Sequence, residues 1–265
     1  YGAKMVITTG AVQSNHCRQT AASARKAGME CTLVLVGESP DRDSGNLFLD
    51  RVFGARVIYT DDENHDRVMD EVFDEAWQNG LRPYRIPYGG SSPTGASAYA
   101  YALFELLEQI DPPDYIVHAT SSGGTQAGML SGAAIADYSG KIIGISVSPG
   151  REELSETVHH LANEVCDLIE KHHRVNKKDI FVLDDYVGEG YGVMGAGEVE
   201  AIQLFADLEG MIVDPVYTGR CASGMIDLLR TGFFEKNSTI LFWHTGGMPA
   251  LFADNYQNLI LDRLS

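Results

Sequence analysis

Short continuous apolar runs alternate along this chain with segments whose apolar positions recur at helical spacing. Residues 4–9 read as a buried strand, Ser14 as a helix N-cap, and 15–27 as an alanine-rich helix that Gly28 stops. A second buried strand follows at 31–36, then a helix at 46–53, a strand at 55–59, an amphipathic helix at 65–79 and a short strand at 83–86. Beyond them the pattern predicts helices at 93–110, 126–137, 155–172, 195–209 and 222–230, with strands at 115–119, 141–147 and 239–243. Apolar strands of this length, alternating with helices, indicate parallel sheets covered on both faces. The expected architecture is α/β, with two open parallel-sheet domains: a small one over 1–92 and a large one over 93–265. The chain opens directly into an apolar strand without an initiator methionine, so it reads as lacking an N-terminal part.

Composition narrows the function. A 44% hydrophobic content is ordinary for a chain that buries a core. The net charge of −17 argues against nucleic acid, whose phosphates need a basic face. Cys17, Cys31, Cys166 and Cys221 are widely spaced with no C-x-x-C pair, which suits reduced thiols in a cytoplasmic protein. No apolar run approaches a membrane span. The pairs His159-His160 and His172-His173 flank Cys166, but adjacent helical histidines point in different directions, so no metal site is expected.

Five small, polar, glycine-containing segments fall at predicted strand ends or helix starts. In His118–Gln126 a buried strand gives way to Ser121, Ser122, Gly123, Gly124 and Thr125 and then to a helix. That order makes either a phosphate cradle of backbone N–H groups and hydroxyls or an ordinary strand–helix turn. Ser14, Asn15 and His16 likewise begin a helix after a strand, as a carboxylate site or as a plain N-cap. Tyr217 precedes a helix, as an acid–base group or a packed aromatic, and Tyr191 sits in the glycine loop Gly188–Gly192. Thr245 follows His244 directly after the last predicted strand. Cys17, in the first turn of a helix, is either reactive or a small packed residue.

The strings GAVQSNHCRQTAA, TSSGGTQAGM, GEGYG, DPVYTGR and HTGGMPALFA, in that order, resemble the D-cysteine desulfhydrase and 1-aminocyclopropane-1-carboxylate deaminase family. That resemblance covers nearly the whole chain. It implies the tryptophan-synthase-β type of fold (fold type II), with pyridoxal 5'-phosphate in a cleft between the domains. It implies that Ser121, Ser122, Gly123, Gly124 and Thr125 bind the cofactor phosphate. Ser14, Asn15 and His16 would take the substrate carboxylate, with Asn15 also reaching the cofactor. Tyr217 and Tyr191 would be the active-site tyrosines, with Ser14 beside them in catalysis. The Schiff-base lysine of the family falls upstream of Tyr1, and Lys4, Lys26, Lys141, Lys171, Lys177, Lys178 and Lys236 stand in no such context. Arg220 stands where members of the family usually carry lysine.

The resemblance also frames the reaction. Members of the deaminase subgroup carry glutamate after the tyrosine and leucine after the later histidine, positions held here by Thr218 and Thr245. Two hydroxyls facing the cofactor favour a weaker electron sink, and with it β-elimination on a small amino acid. D-cysteine, giving pyruvate, sulfide and ammonia, is the expected substrate. The alternatives are 1-aminocyclopropane-1-carboxylate deaminase, L-cysteate sulfo-lyase, and a catalytically dead homologue that binds the cofactor or an amino acid. A homodimer is the assembly implied.

Overall fold

The computed structural model describes residues 2–148, 150–169 and 172–264. Contacts divide the chain into two compact units, Tyr1–Gly90 with Pro249–Ser265, and Ser91–Met248.

The first unit holds strands β1 (Met5–Ala11), β2 (Glu30–Val36), β3 (Arg56–Thr60) and β4 (Pro83–Arg85) in the parallel order β3-β2-β1-β4. Helix α1 (Asn15–Lys26) buries Cys17, Thr20, Ala21 and Ala24, a spacing that puts all four on one face. Cys17, Ala21 and Ala24 join Val6, Leu33 and Leu35 on one side of the sheet. On the other side α3 (His65–Gln78) buries Met69, Val72 and Ala76 against Met5, Ile7 and Val34. The strands therefore read as continuous apolar runs because both their faces are covered.

Helix α2 (Gly45–Val52) carries Asp50, which is fully buried with neither carboxylate oxygen hydrogen-bonded. Burial pushes its carboxyl up to about 7, against the opposing pull of Arg18 and Arg51. A folded-state value above the ordinary one gives stability that is complete in acid and lost as pH rises towards 7. Asp50→Asn should therefore match the parent protein in urea denaturation near pH 4 and exceed it by about 1–2 kcal/mol at pH 8.

The second unit repeats the plan. Strands β5 (Tyr115–Thr120), β6 (Lys141–Ser146), β7 (Phe181–Leu183) and β8 (Ile240–Phe242) lie in the parallel order β7-β6-β5-β8. Helices α4 (Pro93–Gln109), α5 (Gly124–Ala136) and α6 (Arg151–Leu168) cover one face, where Leu103, Met129 and Val158 meet Ile116 and Ile142. Helix α8 (Thr218–Arg230) places Cys221 and Leu228 with Val117, Ile143 and Ile145 on the other, and α7 (Ala196–Glu209) precedes it. Along α5, Gly128 and Gly132 face Ala96 and Ala100 of α4. A Cβ on Gly128 would lie 2.0 Å from the Ala96 carbonyl oxygen, so this crossing exists only with glycine there.

Four features differ from expectation. Helix α6 begins at Arg151, after the N-cap Gly150, because Glu152 and Glu153 suit a helix N-terminus; it closes at Leu168. Helix α8 begins at Thr218 because Asp214 caps it, as described below. Strand β7 was not foreseen. Helix α9 (Asp254–Leu264) was not foreseen either, and its segment belongs with the first unit instead of the second. Ala250, Ala253 and Tyr256 are buried there, and the Asp254 amide donates to Ser44 Oγ at 3.3 Å.

Candidate active site

In each sheet the chain leaves the first strand towards one side and returns for its fourth strand on the other. The switch points therefore lie beside the carboxyl ends of β1 and β5, where open α/β sheets bind ligands.

At the end of β1, Ser14 is buried and caps α1, its Oγ accepting from the Cys17 amide at 3.1 Å. Gly10 lets the turn close, since a Cβ there would lie 2.7 Å from that oxygen. Asn15 Oδ1 accepts from Asn46 Nδ2 at 2.9 Å, and the same Nδ2 donates to the Gln13 carbonyl, also at 2.9 Å. Gln13 Oε1 in turn accepts from the Asn46 amide at 2.8 Å, and Arg18 Nε donates to Asn46 Oδ1 at 2.8 Å. Asn46, fully buried, thus locks the turn from α2. His16 Nε2 lies 2.8 Å from Thr8 Oγ1, which donates to the Ile86 carbonyl at 3.0 Å. Burial lowers the imidazole to about 4, so at neutral pH His16 is uncharged; its single N–H goes to Thr8, which leaves Nδ1 as an acceptor. No acidic residue stands in the first turn of α1. Cys17 is the packed residue of the two readings: it is fully buried, and burial pushes its thiol up to about 12.

At the end of β5, Gly123 is the N-cap of α5 and brings no side-chain oxygen, and the first turn has no acidic residue. Such an end leaves backbone donors for an anion. Ser121, Ser122 and Thr125 are half-buried around it. Ser91 reaches in from the start of α4: its hydroxyl donates to Ser122 Oγ at 2.7 Å and accepts from the Gly124 amide at 3.2 Å. A Cβ on Gly124 would come within 2.6 Å of that hydroxyl, so the cradle closes only around glycine. Below it, Thr120 Oγ1 is buried without a partner.

The two tyrosines of the sequence reading meet. Tyr191 and Tyr217 hydroxyl oxygens are 2.7 Å apart, with the rings edge-to-face at a centroid distance of 6.0 Å. Tyr217 is held by its backbone, because buried Asp214 accepts from the amides of Val216 at 3.2 Å and Tyr217 at 3.1 Å and from that of Thr218. Burial raises the Asp214 carboxyl above its ordinary value, and these donors oppose the rise. Thr218, also fully buried, donates to Asp214 Oδ1 at 2.8 Å and accepts from the Asp214 amide at 2.8 Å. His244 donates from Nε2 to the Ile212 carbonyl at 3.0 Å and accepts at Nδ1 from the Gly246 amide at 2.9 Å, which fixes the turn carrying exposed Thr245. Ser91, Gln13 and Asn46 are functional neighbours that sequence reasoning missed. Lys4, Lys26, Lys141, Lys177, Lys178 and Lys236 are exposed; Lys171 lies outside the described residues.

Taken unit by unit, these features are two open α/β sheets with an uncapped helix N-terminus at one switch point, a hydrogen-bonded turn at the other, and two phenols in hydrogen-bond contact. The model of the family described as "Pyridoxal-phosphate dependent enzyme" matches residues 1–246, and the chain belongs to that family. It is 38% identical to a 1-aminocyclopropane-1-carboxylate deaminase of Mesorhizobium japonicum, over 96% of this chain and 79% of that protein. It is 37% identical to a D-cysteine desulfhydrase of Klebsiella pneumoniae, over 95% of this chain and 79% of that protein. A crystal structure of an ACC deaminase homologue superimposes with a TM-score of 0.88 at 34% identity, covering 98% of this chain and 78% of that one. The cofactor of the family is pyridoxal phosphate, and the residues after β5 fit its phosphate: an open helix N-terminus, no competing carboxylate, three hydroxyls and a glycine-lined approach.

Proposed function

We propose that the protein catalyses β-elimination on a small amino acid and that D-cysteine is its substrate, released as pyruvate, sulfide and ammonia. The observation that carries this reading is Tyr217, paired through its hydroxyl with Tyr191 and followed by a buried hydroxyl residue, Thr218, where a carboxylate would favour ring opening. Ser121, Ser122, Gly123, Gly124 and Thr125 would hold the phosphate of pyridoxal phosphate on the α5 N-terminus. When bound, that group draws electron density from the substrate Cα. Ser14 and Asn15, with the backbone amides that open α1 at Asn15 and His16, would hold the substrate carboxylate by hydrogen bonds, while the neutral His16 ring stays bonded to Thr8. Tyr217 would pass a proton to the departing sulfur, with Tyr191 orienting its hydroxyl. Thr245 would offer the cofactor ring a hydroxyl in place of charge, and Thr218, whose own hydroxyl is taken up by Asp214, puts no carboxylate beside it. A lysine linked to the cofactor would take the Cα proton.

A second reading, opening of 1-aminocyclopropane-1-carboxylate, is favoured by the Mesorhizobium relative of that name. Purified full-length protein supplied with D-cysteine, L-cysteine and the cyclopropane amino acid should release sulfide from D-cysteine. Ammonia and 2-oxobutyrate from the cyclopropane substrate, without sulfide from D-cysteine, would reverse the choice.

A further inference from the structure

Arg220 lies in the first turn of α8, three positions after Tyr217, and is 1% exposed. Its guanidinium donates from Nε to Glu198 Oε1 at 2.6 Å, from Nη1 to the carbonyls of Val147 and Gly190 at 3.0 Å each, and from Nη2 to the Val193 carbonyl at 2.6 Å. Glu198 is itself buried at the start of α7, and its other oxygen accepts from the Gly195 amide at 3.0 Å. Burying such a pair does little for stability, since apolar replacements of equal volume serve as well. What distinguishes this pair is the identity of the carbonyls it grips.

Gly190 and Val193 bracket Tyr191. The backbone around them is set in conformations that favour glycine: Gly188, Gly190 and Gly192 have φ values of 64°, 131° and 77°. Three amide bonds of this stretch, Val187 to Asp184, Gly190 to Val187 and Val193 to Gly190, are each 3.4 Å, long for an amide bond. The guanidinium bonds to the same loop are shorter and charge-assisted. One planar side chain therefore joins the helix turn that carries Tyr217 to the loop that carries Tyr191, and a third carbonyl at the end of β6 fixes both to the sheet. A lysine has no fork with which to serve Glu198 and two loop carbonyls together.

We propose that Arg220 is a positioning residue which, anchored by Glu198, holds the Tyr191 hydroxyl against that of Tyr217 through the Gly190 and Val193 carbonyls. The catalytic part of this inference rests on the proposed role of Tyr217; the structural part does not. In the full-length holoenzyme, Arg220→Lys should lower kcat about 10–100-fold with little change in KM. Amide hydrogen exchange should quicken at residues 188–193, and the pH profile of kcat should shift. In a Tyr191→Phe background Arg220→Lys should cost nothing further in kcat, because the group it positions is gone. Additive losses in that cycle, or unchanged exchange at 188–193, would overturn the proposal. Should Arg220→Lys fail to fold, Glu198→Gln reads the same segment: faster exchange at Gly190–Val193 supports the tether and unchanged exchange refutes it. If no substrate is turned over, the exchange experiment still decides the tether, so failure of the functional reading is separable from failure of this one.

Discussion

Tyr217→Phe in the full-length protein is expected to cut kcat for sulfide release by about 10²–10⁴-fold, the usual worth of a positioned proton donor. KM should move little, because carboxylate binding is assigned to Ser14, Asn15 and His16. The fold should be unaffected: Tyr217 is set in place by backbone bonds to Asp214 that need no phenol hydroxyl. Tyr191→Phe should cost less, since that ring only orients its partner. Steady-state kinetics beside a thermal melt test both. If Tyr217→Phe keeps more than about a third of parental kcat, proton delivery lies elsewhere.

The second large effect concerns the helix crossing beyond the proposed phosphate cradle. Gly128→Ala would place a methyl group 2.0 Å from the Ala96 carbonyl oxygen and 2.7 Å from Tyr99 Cβ. The first contact is backbone, so relief requires α4 and α5 to part. A loss of about 3–5 kcal/mol in urea unfolding is expected, with little soluble protein at 37 °C. Gly132→Ala, whose nearest contacts are at 3.0 Å, should be milder. Equal stability of Gly128→Ala and the parent would mean the two helices are not held as described.

The alternation of strands and helices was legible because strands buried on both faces are mainly apolar: β1, β2, β5 and β6 stand out as apolar runs broken only by small polar residues and His118. Strand β7 has three residues, one of them the exposed Phe181, too few to set a period. The ends of α6 and α8 moved because a cap lies outside the apolar pattern; Asp214, four residues ahead of Thr218, does for α8 what no residue of the helix itself does. Candidate site residues were legible where glycine and hydroxyl residues crowd a strand end. Ser91 and Asn46 were not, because each acts on a turn about thirty residues away in the chain. Arg220 stood out only as an arginine where the family usually carries lysine; its burial was not legible, because Val147 and Glu198, far from it in sequence, decide it. Asn15 and Tyr191 were singled out by motif alone, and the structure adds the bonds each makes.

The first unit is completed by Pro249–Ser265, which is translated after the whole of the second. A nascent chain must therefore carry residues 1–90 with the seat for Ala250, Ala253 and Tyr256 still uncovered while 91–248 are being synthesised. Ribosome stalling or C-terminal clipping would thus injure the early-made unit by leaving that seat uncovered.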